Sequence, residues 1–483
     1  MTTTRVSKPM KRSLLAVALF FLLAVSSASA VVRPNVLFIA VDDLRNDLGC
    51  LGNKEVHSPN LDALAARGRL FTHAYCQQAL CNPSRASLMT GRRPDKLKIW
   101  DLSTHFRDQM PEVVTLPQHF KKHGYFTQDI GKIYHNWRQK IHGDPASWSV
   151  PAVMHFATHT SDIPQVEGVV PPNLAKDRTC RCRDVPDEAY FDGRIASLAI
   201  DALRQRKAAG QPFFLAVGFW KPHSPFNAPK KYWDLYDRSK LSPPANPAWP
   251  KDAPRIAWHN SLEILGSAKP RKLTPAGVME IRHGYLAAIS YLDAQVGRVL
   301  AELDALGLCD NTIIVFWSDH GYHLGEQTLW AKTSNFELDA RAPLIIATPR
   351  MKQPGVKTDA LVELIDMYLT LSELCGLPRP EGVESTSLVP VLNDPNVQVK
   401  EAAYTQHPRP AYFQDEPRVM GRSVRTARYR YTEWRDFKTG DLVASELYDH
   451  DQDPQETVNV AADPARADAI AECQRLYRIG FAP

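Results

Sequence analysis

The residue best suited to covalent chemistry in this chain is a cysteine at the start of a short helix-forming segment. Cys81 opens the string CNPSRASLMTG, in which Pro83 and Ser84 favour the first turn of a helix. The free N–H groups and the positive end of the helix dipole would lie beside the thiol, an arrangement that attracts an anion. The pattern predicts a nucleophile at an anion site. The alternative is a buried cysteine before a helix.

Four further residues have the chemistry of a metal site, although they lie far apart in the chain. Asp42 and Asp43 follow one apolar run, and Asp319 and His320 follow another. Three carboxylates are hard ligands that suit a divalent cation such as calcium, whereas an imidazole is a less usual calcium ligand. The alternative is that the first two carboxylates only cap a turn, which explains either one alone but not the whole set.

Lysines and histidines occur together at two more places. Lys132 and His135 lie three residues apart in the segment GKIYH. His223 follows a second apolar run, and Lys332 lies in the segment WAKTSNF. Cations and imidazoles of this kind bind anions and move protons, although a lysine and a histidine in a surface loop would be unremarkable alone.

Three apolar runs have the length and composition of buried strands. They are Asn35 to Val41, Phe213 to Phe219 and Thr312 to Trp317, and polar or charged residues follow each of them. Near-continuous apolar runs are typical of parallel strands that are buried on both faces. Open sheets of this class bind ligands at the carboxyl ends of their strands, so these ends are expected to form one site. The sequence predicts an α/β fold with a large, mainly parallel sheet.

Amphipathic segments predict the helices that flank this sheet. Asn60 is expected to cap a helix from Leu61 to Arg67, which Gly68 ends. Apolar residues from Leu286 to Leu306 recur at helical spacing and predict one face of a long helix that Gly307 ends. Alternating strands and helices of this kind support the α/β prediction.

A segment from Phe226 to Lys272 is rich in prolines and aromatic residues, which predicts a long excursion over the surface. The larger rings belong to Trp233, Tyr236, Trp249 and Trp258. These rings either pack the loop onto the domain or stack against a sugar, and the sequence leaves both readings open.

Composition divides the mature chain into two parts. Residues 31–398 would form the large domain, and residues 399–483 a small C-terminal α+β subdomain. The segment at 393–396 resembles a linker. Strand-like runs follow it, from Ser423 to Trp434 and from Ser445 to Tyr448.

The N-terminus has the pattern of a secretory signal peptide that covers residues 1–30. Four basic residues precede an uncharged apolar run from Leu14 to Val25, and small residues follow, with a cleavage site near Ala30. A membrane anchor is the alternative, but the run is too short to span a bilayer comfortably. The pattern predicts an exported protein, periplasmic or secreted, without a membrane span after cleavage.

Removal of this leader takes away four basic residues and no acidic ones, so the formal net charge falls from +5 to +1. An anionic substrate would therefore be attracted by a local group of cations and not by a global basic field. Nothing in this charge distribution indicates a nucleic-acid partner.

Eight cysteines occur without the regular spacing of a disulfide scaffold. Cys180 and Cys182 are separated by one residue, which does not match a zinc half-site with a second pair at finger-like spacing. Export permits a disulfide between them but does not require one, so this pairing stays open.

Taken together, these motifs resemble the sulfatase family, whose signature is C-x-P-S-R followed by a helix and a T-G pair. The resemblance covers essentially the whole mature chain and is closest to the iduronate-2-sulfatase branch. It is carried by segments that include VDDLRNDLGC at 41–50, FFLAVGFWKPHSPF at 213–226 and SDHGYHLGEQTLWAKTSNF at 318–336. It implies an alkaline-phosphatase-like fold and a sulfuric ester hydrolase. The segment around Cys180 and Cys182 departs from that branch, which has a longer disulfide-closed loop there.

In the resembled family the signature cysteine, here Cys81, is oxidised to formylglycine by a dedicated maturation enzyme, which would be a partner of this protein. One hydroxyl of the hydrated aldehyde attacks sulfur, and the second expels sulfate as the aldehyde re-forms. The resemblance also implies one Ca²⁺ ion that touches the formylglycine and a sulfate oxygen. Its protein ligands would be Asp42, Asp43, Asp319 and His320.

The resemblance assigns roles to the remaining cations and imidazoles. Lys132 would contact the sulfate and the formylglycine, and His135 would bind the formylglycine hydroxyl and assist sulfate elimination. His223 and Lys332 would lie on the side of the leaving group, and which of the two donates the proton stays open. Arg85 would be one of the cations that meet the developing charge.

Three functions are open at this point. The first is an exo-acting hydrolase that removes a 2-O-sulfate from a uronate, or a sulfate from another sugar, in a sulfated saccharide. The second keeps the fold but hydrolyses phosphate monoesters or diesters, as related superfamily members do. The third is a secreted glycan-binding protein that retains the site for recognition only, which would not require nucleophile, metal and acid–base residues together.

Overall fold

The computed structural model describes residues 1–5, 33–136, 139–153, 180–259, 262–266 and 272–482. Met1–Val32 form a unit of their own, and everything below concerns the compact unit Arg33–Pro483. The predicted signal peptide at 1–30 lies outside the described residues from position 6 onward. Within the described ranges, every helix is too short or too polar to cross a bilayer.

The strands are numbered in chain order. They are β1 (Asn35–Asp42), β2 (Arg69–Tyr75), β3 (Phe126–Gly131), β4 (Cys180–Arg183), β5 (Phe213–Pro222), β6 (Phe226–Pro229), β7 (Thr312–Ser318), β8 (His323–Leu324), β9 (Trp330–Ala331), β10 (Leu344–Ala347), β11 (Lys357–Glu363), β12 (Ala403–Arg409), β13 (Val419–Arg425), β14 (Tyr429–Asp436) and β15 (Leu442–Asp449).

The α-helices are numbered in the same way. They are α1 (Pro59–Arg67), α2 (Cys81–Thr90), α3 (Pro94–Leu97), α4 (Phe106–Gln109), α5 (Leu116–Lys122), α6 (Phe191–Ala209), α7 (Lys230–Trp233), α8 (Leu262–Leu265), α9 (Pro275–Ala305), α10 (Glu337–Ala340), α11 (Asp366–Leu374), α12 (Val389–Asn393) and α13 (Ala467–Gly480).

Seven strands form the main sheet in the order β11-β2-β10-β7-β1-β5-β3. β7 is the central strand, and its neighbour β1 runs parallel to both β5 and β7. β3 also runs parallel to β5, and β11 runs parallel to β2, whereas β10 is antiparallel to both of its neighbours. The sheet is therefore mainly parallel, as predicted.

The apolar run of β1 is continuous because both faces of the strand are covered. Leu37, Ile39 and Val41 pack into the core on one side of the sheet, which includes residues of α1, α6 and α9. Val36 and Phe38 pack into the core on the other side, which includes residues of α2, α5 and α11. Successive side chains of a strand alternate between faces, so both sets must be apolar in this three-layer arrangement.

Two helices differ from their predicted bounds. α1 begins at Pro59, where proline is favoured in the first turn, so Asn60 lies inside the helix and its amide donates to Asp293 over 2.7 Å. α9 begins at Pro275, eleven residues before the predicted apolar face, because Thr274 caps it by accepting from the Gly277 amide at 3.1 Å. Both starts depend on a proline that periodicity alone did not register.

The predicted excursion from Phe226 to Lys272 contains the short elements β6, α7 and α8, and part of it lies outside the described residues. Trp233 and Tyr236 are buried in the main core, which favours packing over sugar stacking for these two rings. Trp249 and Trp258 are partly buried against a smaller cluster around Trp434.

The C-terminal part is an antiparallel sheet of β12 to β15 with the helix α13, which confirms the predicted α+β class. The run from Ser423 to Trp434 is not one strand. It spans the hairpin of β13 and β14. In the turn, the Thr426 amide donates to the Tyr429 carbonyl, and the Thr426 hydroxyl accepts from the Tyr429 amide. A boundary at residue 399 stays a prediction, because Arg33–Pro483 form one compact unit.

Two glycines let β3 and β5 meet closely beside the carboxyl ends of the strands. A Cβ atom on Gly218 would lie 2.1 Å from the carbonyl oxygen of Lys132, and one on Gly131, whose φ is +95°, would lie 2.0 Å from that of Gly218. The closeness allows the Lys132 amide to donate to the Gly218 carbonyl at 2.7 Å. The pair of glycines therefore fixes where Lys132 leaves the sheet.

We predict that Gly218→Ala lowers the free energy of unfolding by at least about 2 kcal/mol, because the new methyl group overlaps backbone atoms that cannot rotate away. Denaturant unfolding measures this. Gly277→Ala is the matched control, since its Cβ would meet nothing closer than 3.4 Å in a helix. The control should be neutral or stabilising by up to about 1 kcal/mol. Equal stability of the two variants would contradict the close approach.

Candidate active site

Three carboxylates, an imidazole and a thiol meet at the carboxyl ends of β1 and β7. The Sγ atom of Cys81 lies 3.4 Å from Oδ1 of Asp42 and 3.5 Å from Nε2 of His320. The same imidazole nitrogen lies 3.4 Å from Asp43 and 3.7 Å from Asp319. The structure thus brings together all five residues that the sequence predicted for a metal site.

The backbone holds one of these carboxylates in an unusual conformation. Asp43 has φ +62°, in the left-handed region that costs energy for most residues, at the point where β1 has just ended. Its amide donates to Oδ1 of Asp319 at 3.2 Å, and its carbonyl accepts from the Tyr285 hydroxyl at 2.7 Å. The first bond orients the Asp319 carboxylate, and the second fixes the backbone of Asp43.

The donor set fits a divalent cation. Nδ1 of His320 lies 2.9 Å from the Gly321 carbonyl, to which it must donate, so Nε2 is the ring nitrogen left for a cation. One ligand atom from each of Asp42, Cys81, Asp319 and His320 lies within 4.8 Å of the others, and a second set of four contains Asp43. Oxygen ligands dominate, which suits a hard cation.

The electrostatics of the two adjacent aspartates differ. Burial raises the pKa of Asp43, and although Lys332 opposes this effect, the charges of Glu263 and Asp42 add to it. Burial acts in the same direction on Asp42, but the positive charges of Lys132 and Arg85 outweigh it and hold the pKa of that carboxyl well below its usual value. A bound cation would relieve the repulsion that Asp43 meets.

Cys81 occupies the first position of α2 and is 2% exposed. Burial, reinforced by the charge of Asp42, raises the pKa of its thiol well above the usual value. Because the thiolate is the nucleophilic form, an unmodified thiol here would be a poor nucleophile. The environment is thus better suited to a derivative of this side chain than to the thiol itself.

Arg85 projects from α2 beneath the carboxylates and is fully buried. Its Nε donates to Oδ2 of Asp319 at 2.8 Å, and its two terminal nitrogens donate to the carbonyls of Val41, Lys132 and Ile133. These contacts engage every nitrogen of the guanidinium group. The placement favours a positioning role over the direct contact with developing charge that the resemblance implied.

Lys132 and His135 approach from the loop after β3. The ammonium group of Lys132 is ion-paired with Oδ2 of Asp42. His135 is 8% exposed, and neither ring nitrogen has a hydrogen-bond partner among the described residues. Burial and the charge of Lys132 lower its pKa well below the usual value. A neutral, buried imidazole with two open nitrogens is ready to bind a polar ligand.

His223 and Lys332 form the opposite wall of the site. The Nζ atom of Lys332 lies 2.8 and 3.0 Å from the two oxygens of Asp43 and 3.2 Å from Nε2 of His223. Nδ1 of His223 donates to the Ser224 carbonyl at 2.6 Å, so Nε2 accepts from the lysine when the ring is neutral. Burial and the charge of Lys332 lower the pKa of His223, which favours that neutral form.

Sequence reasoning missed Glu263, whose Oε2 lies 2.6 Å from Nζ of Lys332. Glu263 belongs to α8, a single turn in the excursion from Phe226 to Lys272. The proline-rich composition predicted the excursion itself. The sequence contained no signal for the particular residue.

A buried network supports the loop that carries Lys332. His323 places Nδ1 2.6 Å from Oδ1 of Asp339 and Nε2 2.9 Å from Oε1 of Gln327. The amide nitrogen of Gln327 donates to two carbonyls, which leaves its oxygen to face the ring. Both ring nitrogens therefore meet acceptors, and the imidazolium form fits best. The other oxygen of Asp339 accepts from the amide and hydroxyl of Ser334.

Comparison with known families and proteins identifies the relatives of this chain. The profile of the family described as "Sulfatase" matches residues 34–377, and that described as "N-sulphoglucosamine sulphohydrolase, C-terminal" matches residues 325–478. Iduronate 2-sulfatase of Mus musculus is 36% identical, with 92% of this chain and 94% of the relative covered. Iduronate 2-sulfatase of Homo sapiens is 35% identical, with 90% and 92% covered.

Solved structures share the fold. The phosphonate monoester hydrolase of Agrobacterium radiobacter superposes with a TM-score of 0.74 at 23% identity, covering 92% of this chain and 95% of that one. At this identity the likeness shows the fold alone. It confirms the predicted alkaline-phosphatase-like architecture.

We predict that His323→Asn destabilises the protein by about 3–5 kcal/mol at pH 6, because it leaves the buried Asp339 carboxylate without its cationic partner. Burial alone would lower the pKa of His323, but Asp339 raises it above its usual value of 6.5. The stabilisation is therefore complete below about pH 6.5 and is lost as pH rises through the raised pKa.

The measurement is denaturant unfolding of both proteins from pH 6 to pH 9. The difference in free energy of unfolding should shrink as pH rises. His57→Asn is the control for loss of an exposed imidazole. A difference that stays constant over this range would show that His323 is not charged in the folded protein.

Proposed function

This chain belongs to the sulfatase family of sulfuric ester hydrolases, and from that premise we propose that it removes a 2-O-sulfate from a uronate at the end of a sulfated saccharide. Support comes from the curated relatives named iduronate 2-sulfatase, at 35–36% identity over 90–92% of the chain. The observation that carries the proposal is the cluster of Cys81 with carboxylates, imidazoles and cationic side chains at one sheet edge.

We propose one Ca²⁺ ion as the metal, held by Asp42, Asp43, Asp319 and His320 beside residue 81. When bound, the ion would polarise a sulfate oxygen and draw electron density from sulfur. Arg85 acts as a positioning residue, because its bonds fix Asp319 and the carbonyls around the ligands. Oxygen-rich ligation supports calcium over a softer metal, and the single imidazole is the exception to that pattern.

Cys81 is proposed to be oxidised to formylglycine by a maturation enzyme, which makes that enzyme a partner. The hydrated aldehyde supplies one hydroxyl for attack on sulfur and a second for release of sulfate. We propose that His135 takes a proton from this side chain, and support comes from its two ring nitrogens, neither of which has a hydrogen-bond partner among the described residues. Lys132 lies beside Asp42 and would bind a sulfate oxygen.

His223 and Lys332 would act on the leaving group. An alkoxide is a poor leaving group, so its oxygen needs a proton or a nearby positive charge. Lys332 carries the proton in the geometry described above, since its Nζ donates to Nε2 of the neutral His223. The two side chains therefore share one proton that can reach the ester oxygen from this wall.

We also propose export through the signal peptide at residues 1–30, with cleavage near Ala30. The pattern of basic, apolar and small residues supports this proposal. In that setting the substrate would be an extracellular or periplasmic sulfated saccharide.

The alternative is a phosphate or phosphonate ester hydrolase of the same superfamily. The fold is shared with a phosphonate monoester hydrolase, which is the reason to retain this alternative function. At 23% identity, however, that likeness concerns the fold alone. The iduronate 2-sulfatases are more similar to this chain and cover as much of it. A glycan-binding role without catalysis does not account for the buried cluster of ligand and acid–base groups.

We predict that protein co-expressed with a formylglycine-generating enzyme carries an aldehyde at position 81, detected by intact and peptide mass spectrometry. This protein should release sulfate from 2-O-sulfated uronate saccharides in preference to 4-O-, 6-O- and N-sulfated ones. Cys81→Ala should lose at least about 1,000-fold in kcat/KM, because the nucleophile is absent. The same protein produced without the maturation enzyme is the matched control.

Conversion of Cys81 without turnover of any sulfated sugar would refute the saccharide substrate. Hydrolysis of phosphate esters by the unconverted thiol form would instead support the alternative function.

We predict that chelation with EGTA abolishes sulfate release and that added Ca²⁺ restores it, because the carboxylates need the cation to bind an anionic substrate. Asp319→Asn should raise the Ca²⁺ concentration for half-maximal activity by about 10- to 100-fold. Asp468→Asn, which changes an exposed carboxylate, is the matched control. Full activity in EGTA would rule out the cation, and restoration by Zn²⁺ but not Ca²⁺ would reassign it.

A further inference from the structure

One carboxylate at the site lies outside every motif that the sequence offered. Glu263 is on α8, and its side chain is 17% exposed. Its Oε2 lies 2.6 Å from Nζ of Lys332, and its Oε1 accepts from the Ser224 hydroxyl at 2.7 Å and the Tyr322 hydroxyl at 3.2 Å. Both oxygens are thus used, and their direction is fixed by two neutral donors.

Lys332 therefore stands between two carboxylates. On one side are both oxygens of Asp43, at 2.8 and 3.0 Å, and on the other is Glu263 at 2.6 Å. Asp43 is also a member of the candidate cation site. A cation at that site would compete with the lysine for the same carboxylate charge.

The competition has an electrostatic consequence. An ammonium group and a divalent cation that share one aspartate repel each other in a buried site, where water screens little. If Asp43 were the only acidic partner of Lys332, binding of the cation would either displace the lysine or be weakened by it. A second carboxylate on the far side of the lysine removes this conflict.

We propose that Glu263 is the counter-charge that holds Lys332 in place when Asp43 is engaged by the cation. The inference deepens the proposed function and rests on its cation site. Glu263 is a positioning residue, which acts through Lys332 and not on the substrate. Because of Glu263, Asp43 can bind the cation while Lys332 stays 3.2 Å from Nε2 of His223.

The surrounding chain supports a fixed position for this lysine. Ala331 and Thr333, on either side of Lys332, both have φ in the left-handed region, at +64° and +88°. For a β-branched threonine this is a rare conformation, and it is held by the bond from the Thr333 amide to the Ala79 carbonyl at 3.1 Å. The backbone conformation thus fixes the direction of the Lys332 side chain, and the carboxylate of Glu263 pairs with its ammonium group.

The test is Glu263→Gln, which keeps the shape and the acceptor for Ser224 and Tyr322 but removes the charge. We expect the Ca²⁺ concentration that gives half-maximal thermal stabilisation to rise by about 10- to 100-fold. At saturating Ca²⁺, kcat for sulfate release should still be lower by a similar factor, with KM changed less, because the lysine has lost its anchor. The melting temperature without metal should change little.

Two variants separate charge from packing. Glu263→Asp keeps a carboxylate and should lie closer to the wild-type Ca²⁺ midpoint than Glu263→Gln does. Tyr322→Phe removes one hydrogen bond but keeps the charge, and its midpoint should shift by less than about threefold. If Glu263→Gln does not fold, the comparison of Glu263→Asp with Tyr322→Phe decides, since a charge role requires both to stay near the wild type.

An unchanged Ca²⁺ midpoint in Glu263→Gln would overturn the proposal, and so would equal shifts in Glu263→Gln and Tyr322→Phe. The Ca²⁺ titration does not need turnover, so it separates this inference from the proposed function. A wild-type protein that binds Ca²⁺ but cleaves no sulfate ester would refute the proposed function. The role of Glu263 would then still be decided by the Ca²⁺ concentrations that give half-maximal thermal stabilisation of the variants. A wild-type protein that binds no divalent cation would overturn both the cation site and the role of Glu263.

Discussion

Charge balance among buried aspartates is the constraint on which the rest of this site depends. Asp42, Asp43 and Asp319 are fully buried at the ends of two adjacent strands. Carboxylates in such a setting cannot stay ionised without cations close by. Arg85 is paired with Asp319 and Lys132 with Asp42, whereas Lys332 is shared between Asp43 and Glu263, so three cations from three different segments face four carboxylates. A divalent cation added to this set would make the site positive, which suits the binding of an anionic ester.

The sheet supplies the geometry that this balance requires. Because β1, β5 and β7 are parallel, their carboxyl ends face the same edge, and β3 extends that edge with Lys132. The glycine pair of β3 and β5 sets the height of the lysine above the sheet, and the left-handed backbone at Asp43 turns that carboxylate toward Asp319. Cys81 approaches from a different direction, at the first position of α2. Sheet and helix are joined by Arg85, which binds the carbonyls of Val41 and Lys132 at once.

The parts of this arrangement that could be predicted from the sequence are those with a local signature. Apolar runs that end in charged residues located β1, β5 and β7, and the string around Cys81 located α2. The antiparallel strand β10 had no such signature, because four residues carry no information on direction. Glu263 could not be predicted either, since a single helical turn in a proline-rich excursion shows no periodicity and its partner Lys332 lies 69 residues further along the chain. Contacts between distant segments are decided by the fold as a whole, which a local pattern does not contain.

The C-terminal sheet is joined to segments around the site, and one arginine makes several of these contacts. Arg409, at the end of β12, donates to the carbonyls of Ile256, Ala257 and Thr333, and its guanidinium group lies 4.8 Å from the ring centre of Trp434. Burial lowers its pKa to about 10, so it keeps its charge at neutral pH although its direct partners are mainly carbonyls. One bond holds the strained segment next to Lys332, and the others hold the excursion that leads to Glu263. The segment that carries Lys332 and the excursion that carries Glu263 are therefore both bonded to β12. A division at residue 399 would separate Arg409 from these two segments.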